Sequence, residues 1–572
     1  MLKKLADFDV YMEKILKDWN APGIGVGLVV NNELVFAKGY GYRDYEKKLP
    51  FTPSTLFPIG SNTKLFTAIA AGFLVNEGVM TFDAPIHATV PSLQFHNNSL
   101  NNTVTLRDML AHRTGISRYD MIWERSTFTR KELFDRIKYL EPKEPLRQSF
   151  IYNNMMYAAV GYLIELQVNQ SWEMLVRKKI LDPLEMRNTV YTIQEMLEQP
   201  DFSVPFTQKR DSTDLYKKYY DDMPGVKPAG GIISNIQDMS HWLIALMNNG
   251  KFLDQQVIPQ SVLKAVLEPT VALPNTLGEA LGFWELINST YGMGQHTASY
   301  RGHLLVFHGG DINGFHSQVS FMPHKQIGVV TFVIGDHCLS LRDTISYNIY
   351  ERLLDLDLTP WSDRWLTRVL KGKKEAPVKG IKVEEERVSG TQPSHPLASY
   401  AGEYEHPAYG VLTIELRDEK LQFNFRRALL PLAHFHYERF DTPHDEQYGK
   451  WSVNFGIDPQ GEVDKLVISL DQAEAIFRRR PENLKTEILQ QLVGTYETAT
   501  GFKIQVVLRE SSTMYLVIPG QSDEKLIAYK DFKFRIQQFY DVIFEFLIKH
   551  NQVSYLKQKT PDGELVFTRV SL

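Results

Sequence analysis

The hydrophobic pattern changes period along the chain, and the changes mark its elements. Near the amino terminus Leu5, Phe8, Tyr11 and Ile15 fall on one helical face, which predicts an amphipathic helix within residues 1–20. Two apolar runs follow, residues 24–30 and 34–37, separated by Asn31-Asn32, the pattern of a β-hairpin with a short asparagine turn. A second strand pair, residues 318–322 and 327–334, flanks a turn containing Pro323, and a helix is expected over residues 339–354. Between the pairs lie helical stretches at residues 61–76, 105–111 and 154–167. Early strands, central helices, late strands and a closing helix make an α+β unit whose sheet joins both ends of the region.

From residue 371 to 395 the periodicity fades. Lys371-Gly-Lys-Lys-Glu375 and Lys382-Val-Glu-Glu-Glu-Arg387 carry charge without a sustained apolar stripe, and Ser389-Gly-Thr-Gln-Pro393 follows. Residues 366–395 are therefore expected to be a charged linker after a first domain of residues 1–365. Beyond it the chain repeats itself. Tyr400-Ala-Gly-Glu-Tyr-Glu405 returns 92 positions later as Leu492-Val-Gly-Thr-Tyr-Glu497, and the copies close on Phe477-Arg-Arg479 and Phe567-Thr-Arg569. In the first copy Leu412, Ile414 and Leu416 alternate with Thr413, Glu415 and Arg417, and Leu421, Phe423 and Phe425 resume the alternation after a turn. Short strands of period two predict two small antiparallel β-barrels, residues 396–482 and 488–572.

Composition narrows the function classes. With 43% apolar and 23% charged residues the chain is of ordinary globular type, and a net charge of −5 gives no basic excess for nucleic acid. The single cysteine, Cys338, follows a strand-like run and is expected to be packing. Cys-x-x-Cys and His-Glu-x-x-His spacings are absent, so no metal or cofactor is expected. No run approaches the roughly 18 apolar residues of a membrane span. The amino terminus lacks the apolar core and cleavage site of a signal peptide, so a cytoplasmic location is expected, or a periplasmic one if a signal has been removed.

Candidate chemistry begins at Ser61-Asn-Thr-Lys64. Helix positions i and i+3 share a face, so Lys64 sets its amine beside the Ser61 hydroxyl. Serine is a weak nucleophile until a base takes its proton, and lysine serves once burial or charge lowers its pKa. The apolar residues 65–75 supply that burial. The same spacing occurs at Ser261/Lys264, Ser522/Lys525 and Ser554/Lys557, and a serine at position 61 also suits a helix N-cap. In Tyr152-Asn-Asn154 a phenol can move protons and an amide can hold the lysine or the substrate; an aromatic staple with an asparagine cap fits the same residues. His308-Gly-Gly310, followed by Asp311, sets glycines at a strand end, where backbone N–H groups can face a cleft as an oxyanion hole requires. A glycine turn with an incidental histidine is the alternative.

Together and in this order the three elements resemble the penicillin-recognising serine hydrolases: class C β-lactamases and other penicillin-binding-protein-like enzymes, DD-carboxypeptidases, D-aminopeptidases and related esterases. Phe57-Pro-Ile-Gly-Ser-Asn-Thr-Lys64, Thr105-Leu-Arg-Asp-Met-Leu-Ala-His-Arg-Thr-Gly-Ile116 and Pro228-Ala-Gly-Gly-Ile-Ile-Ser-Asn-Ile-Gln-Asp-Met239 extend the likeness over residues 5–360. The resemblance implies a β-lactamase-like α+β fold, an antiparallel sheet flanked by helices plus an all-helical region. It also implies roles: Ser61 acylated, Lys64 its base, Tyr152 in proton transfer, Asn154 orienting lysine and substrate, His308 lining the cleft, and the Ser61 and Asp311 N–H groups as oxyanion hole. Water would then release the acyl group.

The β-lactamases carry Lys-Thr-Gly or Lys-Ser-Gly where this chain has His308-Gly-Gly310. A histidine, with a reference pKa of about 6.5, is mostly neutral at pH 7 and gains charge on acidification, so it offers a substrate carboxylate no fixed cation. D-aminopeptidase-like relatives carry histidine there and two small lipocalin-like C-terminal barrels. The implied substrates are small amides or esters, D-aminoacyl compounds first. The alternatives are a β-lactamase or DD-carboxypeptidase, and an inactive scaffold binding a partner through its barrels. Neither nucleic acid nor a membrane span is expected, and the barrels offer a surface for a homo-oligomer. An α/β-hydrolase is disfavoured, because no Gly-x-Ser-x-Gly elbow occurs.

Overall fold

A computed structural model describes residues 2–209, 212–385, 387–445, 448–459, 461–471, 473–481, 484–510, 512–530, 532–536, 541–549 and 552–570. The chain divides into two compact units, Met1–Glu386 and Arg387–Leu572.

A nine-stranded antiparallel sheet organises the first unit. Its strands are β1 (Gly23–Val30), β2 (Glu33–Asp44), β3 (Leu49–Pro50), β4 (Val271–Ala272), β5 (Leu286–Tyr291), β6 (His296–Tyr300), β7 (His303–Ile312), β8 (Phe315–Met322) and β9 (Ile327–Ile334), in spatial order β4-β5-β6-β7-β8-β9-β1-β2-β3. The expected hairpin forms at β1–β2, where Asn31 and Asn32 both take positive φ, at 49° and 66°. β1 pairs along its whole length with β9, from Gly23↔Ile334 to Val30↔Ile327, so the last strand seals the first.

Helices cover both faces of the central strands. One face carries α1 (Phe8–Trp19), which buries Phe8, Met12, Ile15 and Trp19. The other carries α4 (Ile236–Met247), whose Ile236 lies over Gly27 and whose Leu243 and Met247 lie over Gly328. With both faces covered, β1, β8 and β9 are buried at every position, which is why β1 and β9 read as apolar runs without alternation. Two further helices pack in the region between the strand groups and bear on the site: α2 (Thr63–Asn76) and α3 (Asn154–Val168). Cys338 is fully buried, as packing.

After β9 come α5 (Leu341–Leu353) and α6 (Trp361–Glu385). The second overturns part of the expected linker over residues 366–395, because its first 20 positions are helix. Trp361, Trp365, Leu366 and Val369 recur at helical spacing and pack on the sheet's core. That stripe ends before the Lys- and Glu-rich half of the helix, which dilutes the period in sequence.

The second unit holds two closed eight-stranded antiparallel barrels, one running from Gly402–His406 to Ala473–Arg479 and the other from Gly494–Thr498 to Gly563–Val570. Positions 482 and 572, which end the expected barrel spans, lie outside the described residues. The sequence repeat is a chemical repeat. Tyr404 Oη donates to the Tyr400 carbonyl at 2.9 Å, and Tyr496 Oη to the Leu492 carbonyl at 2.7 Å. Each tyrosine stands opposite the closing arginine, Tyr404↔Arg479 and Tyr496↔Arg569. Those guanidinium groups donate to the equivalent carbonyls of Ala401 and Val493, both at 2.5 Å. Leu412, Ile414, Leu421, Phe423 and Phe425 turn inward, as the alternation predicts, whereas Leu416, next to the turn, is exposed.

Glu351 ties α5 to the start of α6. Fully buried, it accepts from Tyr300 Oη at 2.8 Å, Thr359 Oγ1 at 2.7 Å, Thr359 N at 2.9 Å and Arg301 Nη1 at 3.2 Å. Removing one partner of a buried ion pair leaves the other uncompensated. Glu351→Ala should lower the stability of the first unit by about 3 kcal/mol or more in urea unfolding, and Glu351→Gln by about half that. Two variants as stable as the parent would make this anchor incidental.

Candidate active site

The segment that carries Ser61 is strapped down on both sides. Phe57 and Pro58 pair with Ser234 and Ile233, and Ile59 N donates to the Ile232 carbonyl at 3.0 Å. A 3₁₀ turn, Gly60–Asn62, then leads into α2. Asn62 Nδ2 donates to Ser317 Oγ at 2.8 Å, and Ser317 Oγ donates to the Ile59 carbonyl at 2.7 Å, fixing the turn to β8. Neither the turn nor α2 has a side-chain cap, so the N-cap alternative for Ser61 is not what forms. Of the other Ser-x-x-Lys pairs, Ser261 lies exposed on the helix Gln260–Leu267 and hydrogen-bonds Asn76 Oδ1 at 3.0 Å.

Lys64 is fully buried in the first turn of α2. Its Nζ lies 2.7 Å from Asn154 Oδ1, 2.8 Å from the Ala229 carbonyl and 3.0 Å from Ser61 Oγ. Burial is the largest influence on this amine and pushes its pKa well below the ordinary lysine value, with Arg118 adding to the shift while Asp120 and Asp311 oppose it. The positive end of α2 works in the same direction. The carbonyl comes from the Pro228-Ala-Gly-Gly segment, which Thr67 Oγ1 holds through the Pro228 carbonyl at 2.6 Å.

Tyr152-Asn-Asn154 divides its labour. Asn153 is the cap of α3, accepting from Met156 N at 3.2 Å, while Asn154 is the residue that faces Lys64. The Tyr152 ring centroid is 4.7 Å from Lys64 Nζ. Burial pushes its phenol far above the ordinary tyrosine value, against a hydrogen bond with Ser61, so the group is neutral and carries a proton to give.

β7 brings the third element alongside. A Cβ on Gly60, whose φ is +55°, would fall 2.8 Å from the Asp311 amide nitrogen, so the bare glycine lets that N–H lie next to the Gly60–Asn62 turn. His308 is buried; its Nδ1 lies 2.6 Å from the Gly309 carbonyl and its Nε2 3.1 Å from Tyr291 Oη. A carbonyl only accepts, so the proton sits on Nδ1 and Nε2 accepts from the tyrosine. Burial first, then His296 and Lys64, push this imidazole well below the ordinary histidine value. The expectation that acidification charges it is therefore corrected: desolvation keeps it neutral where a free histidine would protonate.

Ser61, Tyr152, Asn154, His308 and Asp311 line one cleft of about 500 Å³, with Lys64 beneath it. The same cleft contains residues that no sequence motif marked: Arg118, Asp120, Trp123, His296 and Arg342. Arg342 had one indirect signal. A Cβ on Gly309 would fall 2.5 Å from its guanidinium carbon, so the second residue of His308-Gly-Gly310 is bare to admit it. Arg342 pairs with Asp311, and Arg118 pairs with Asp120 at 2.5 Å. Among the described residues no cluster of three or more His, Cys, Asp or Glu is arranged to hold a metal ion, and no helix is long and apolar enough to cross a membrane.

Long-range ¹H–¹⁵N correlation of the imidazoles tests the His308 geometry. It should stay neutral, protonated on Nδ1, from pH 8 down to about 5.5. A titration near the ordinary histidine value would contradict the assignment.

Comparison with known proteins identifies the family and the fold. The Beta-lactamase family model matches residues 8–351, and that of a domain of unknown function, DUF3471, matches residues 386–484. The unguisins hydrolase ungD of Aspergillus violaceofuscus (strain CBS 115571) is 26% identical over 434 residues, covering 72% of this chain and 76% of that protein. Among solved structures, the octameric penicillin-binding protein homologue from Pyrococcus abyssi aligns with a TM-score of 0.55 at 21% identity, over 82% of this chain and 99% of that one. The D-amino acid amidase from Ochrobactrum anthropi SV3 aligns with a TM-score of 0.51 at 19% identity, over 61% and 99%. The likeness to both structures is one of fold. The chain belongs to the Beta-lactamase family, whose members are generally serine hydrolases.

Proposed function

We propose that this chain hydrolyses small amides or esters, D-aminoacyl compounds first, through an acyl-enzyme on Ser61. One observation carries the proposal: the fully buried Lys64 Nζ is ringed by three oxygens, one of them the Ser61 hydroxyl, and burial favours its neutral amine. Such an amine has two N–H donors and one lone pair. The Asn154 and Ala229 oxygens can only accept; charged Lys64 donates to Ser61 Oγ as well, and once neutral it keeps its two N–H groups on those oxygens and turns its lone pair to the Ser61 hydroxyl.

Chemistry follows from that arrangement. Ser61 Oγ bonds to the substrate carbonyl carbon as its proton passes to Lys64 Nζ. The carbonyl oxygen becomes an oxyanion next to the Ser61 and Asp311 N–H groups. As the bond to the leaving group breaks, the neutral Tyr152 phenol protonates that group and recovers a proton from Lys64. Water, deprotonated by the same pair, then attacks the ester and releases the acid with Ser61 restored.

Substrate choice rests on electrostatics. His308 is neutral, and the cleft's two guanidinium groups are each matched by a carboxylate of the same cleft, Asp120 or Asp311. A carboxylate-bearing β-lactam therefore meets no unbalanced cation, whereas a neutral or amine-bearing amide or ester loses nothing by that. The name of the 26% identical relative, a hydrolase of unguisins, is in keeping with hydrolytic chemistry.

Ser61→Ala should lower hydrolysis of a short p-nitrophenyl ester or a D-alanyl amide by about 10⁴-fold or more with an unchanged thermal transition, and Ser261→Ala should leave it intact. Loss of activity in the second variant alone would overturn the site assignment. In the parent, kcat/KM for the better of these two substrates should exceed that for nitrocefin by about 10-fold or more at pH 8. Nitrocefin turned over as well as the better one would restore the β-lactamase alternative.

A further inference from the structure

The Asn154 side chain has two ends that differ only in which is oxygen and which is nitrogen, and the reaction needs one of the two orientations. With Oδ1 toward Lys64 it accepts from the amine; with Nδ2 there, donor would face donor. Lys64 cannot enforce the choice by itself, because its amine can turn to meet an amide nitrogen with its lone pair at the cost of Ser61.

What enforces it stands on the other side of Asn154. Asp120 opens a one-turn helix, Asp120–Trp123, directly after Tyr119, whose φ of 48° bends the chain at that point. Its carboxylate oxygens accept from three directions: Asn154 Nδ2 to Oδ1 at 3.0 Å, Trp123 Nε1 to Oδ1 at 2.9 Å, and Arg118 Nε to Oδ2 at 2.5 Å. A carboxylate accepts and does not donate, so it admits only the NH₂ end of Asn154 and turns Oδ1 toward Lys64. A flipped amide would lose both contacts and set its oxygen against the anion.

We infer that Asp120 is a positioning residue for the acylating pair, fixing the Asn154 amide so that Lys64 keeps its lone pair on Ser61. The inference rests on the proposed roles of Ser61 and Lys64. Asp120 also carries charge, and it acts on Lys64 in opposition to Arg118. The charged and titratable groups that face or surround this amine are Arg118 and Asp120 at the head of the Asp120–Trp123 helix, Tyr152 and Tyr157 at the start of α3, His112, His296 from β6, and His308 and Asp311 from β7. Asp120 stabilises the protonated amine and Arg118 destabilises it.

The rate at which a fluorophosphonate labels Ser61 in the full chain, followed from pH 5 to 9, tests this. Asp120→Ala should slow labelling at pH 8 by about 10-fold or more, the scale of one charge-assisted hydrogen bond. Asp120→Asn keeps the shape and removes the charge, so protonated Lys64 loses support and the acid limb of the profile should move down by roughly half a pH unit or more. Arg118→Gln should move the same limb up. A merely structural role for Asp120 predicts no such opposite displacements. If Asp120→Ala unfolds the cleft, the isosteric Asp120→Asn, checked by its thermal transition, decides the question. Parent-like rates and an unmoved limb in the folded Asp120 variants would overturn the inference. A parent chain that takes up no probe would instead overturn the hydrolase proposal on which it rests.

Discussion

An amine without water around it is the constraint on which the rest of this site depends. Lys64 is fully buried, and a buried ammonium is costly unless its protons find acceptors. Here two carbonyl oxygens take two of its N–H groups, and the Ser61 hydroxyl meets the third proton of the charged form or the lone pair of the neutral one. The same desolvation that would be a defect in a structural lysine lowers the pKa of this one, as the proposed role of base requires.

Each partner of that amine comes from a different part of the chain, so the whole first unit takes part in holding it. Ser61 is carried by a turn braced against β8, Asn154 by the first turn of α3, and the Ala229 carbonyl by a segment that Thr67 ties back to α2. The pairing of β9 with β1 closes the sheet, and through β8 and β7 it brings the Asp311 amide beside Gly60. Around this core the charges come in matched pairs, Arg118 with Asp120 and Arg342 with Asp311.

How much of this could be read in the sequence depended on whether a residue's type or its location did the work. The hairpins, the barrels and the contact of Lys64 with Ser61 were legible because period, turn residues and side-chain spacing are local. The barrel repeat was legible down to Tyr404 and Tyr496, which make the same backbone bond in both copies. Ala229 could not be found in this way, since it acts through a carbonyl that every residue has. Asp120 was missed because its position beside Asn154 follows from the path of a loop, and Arg342 because its approach shows only as the absent side chain of Gly309. The start of α6 was hidden by the charged half of the same helix. For His308 the residue type was legible but its environment was not; burial decides its charge more firmly than the reference value of a free imidazole.

The central claim is that Lys64 is a neutral amine when the site works. Following the ε-carbon resonances of ¹³C-labelled lysines across pH, with Lys64→Met to assign the signal, measures its charge directly. The account predicts one lysine that titrates well below the ordinary value of 10.5 and disappears in the variant. A Lys64 signal that titrates at the ordinary lysine value of 10.5 would contradict it.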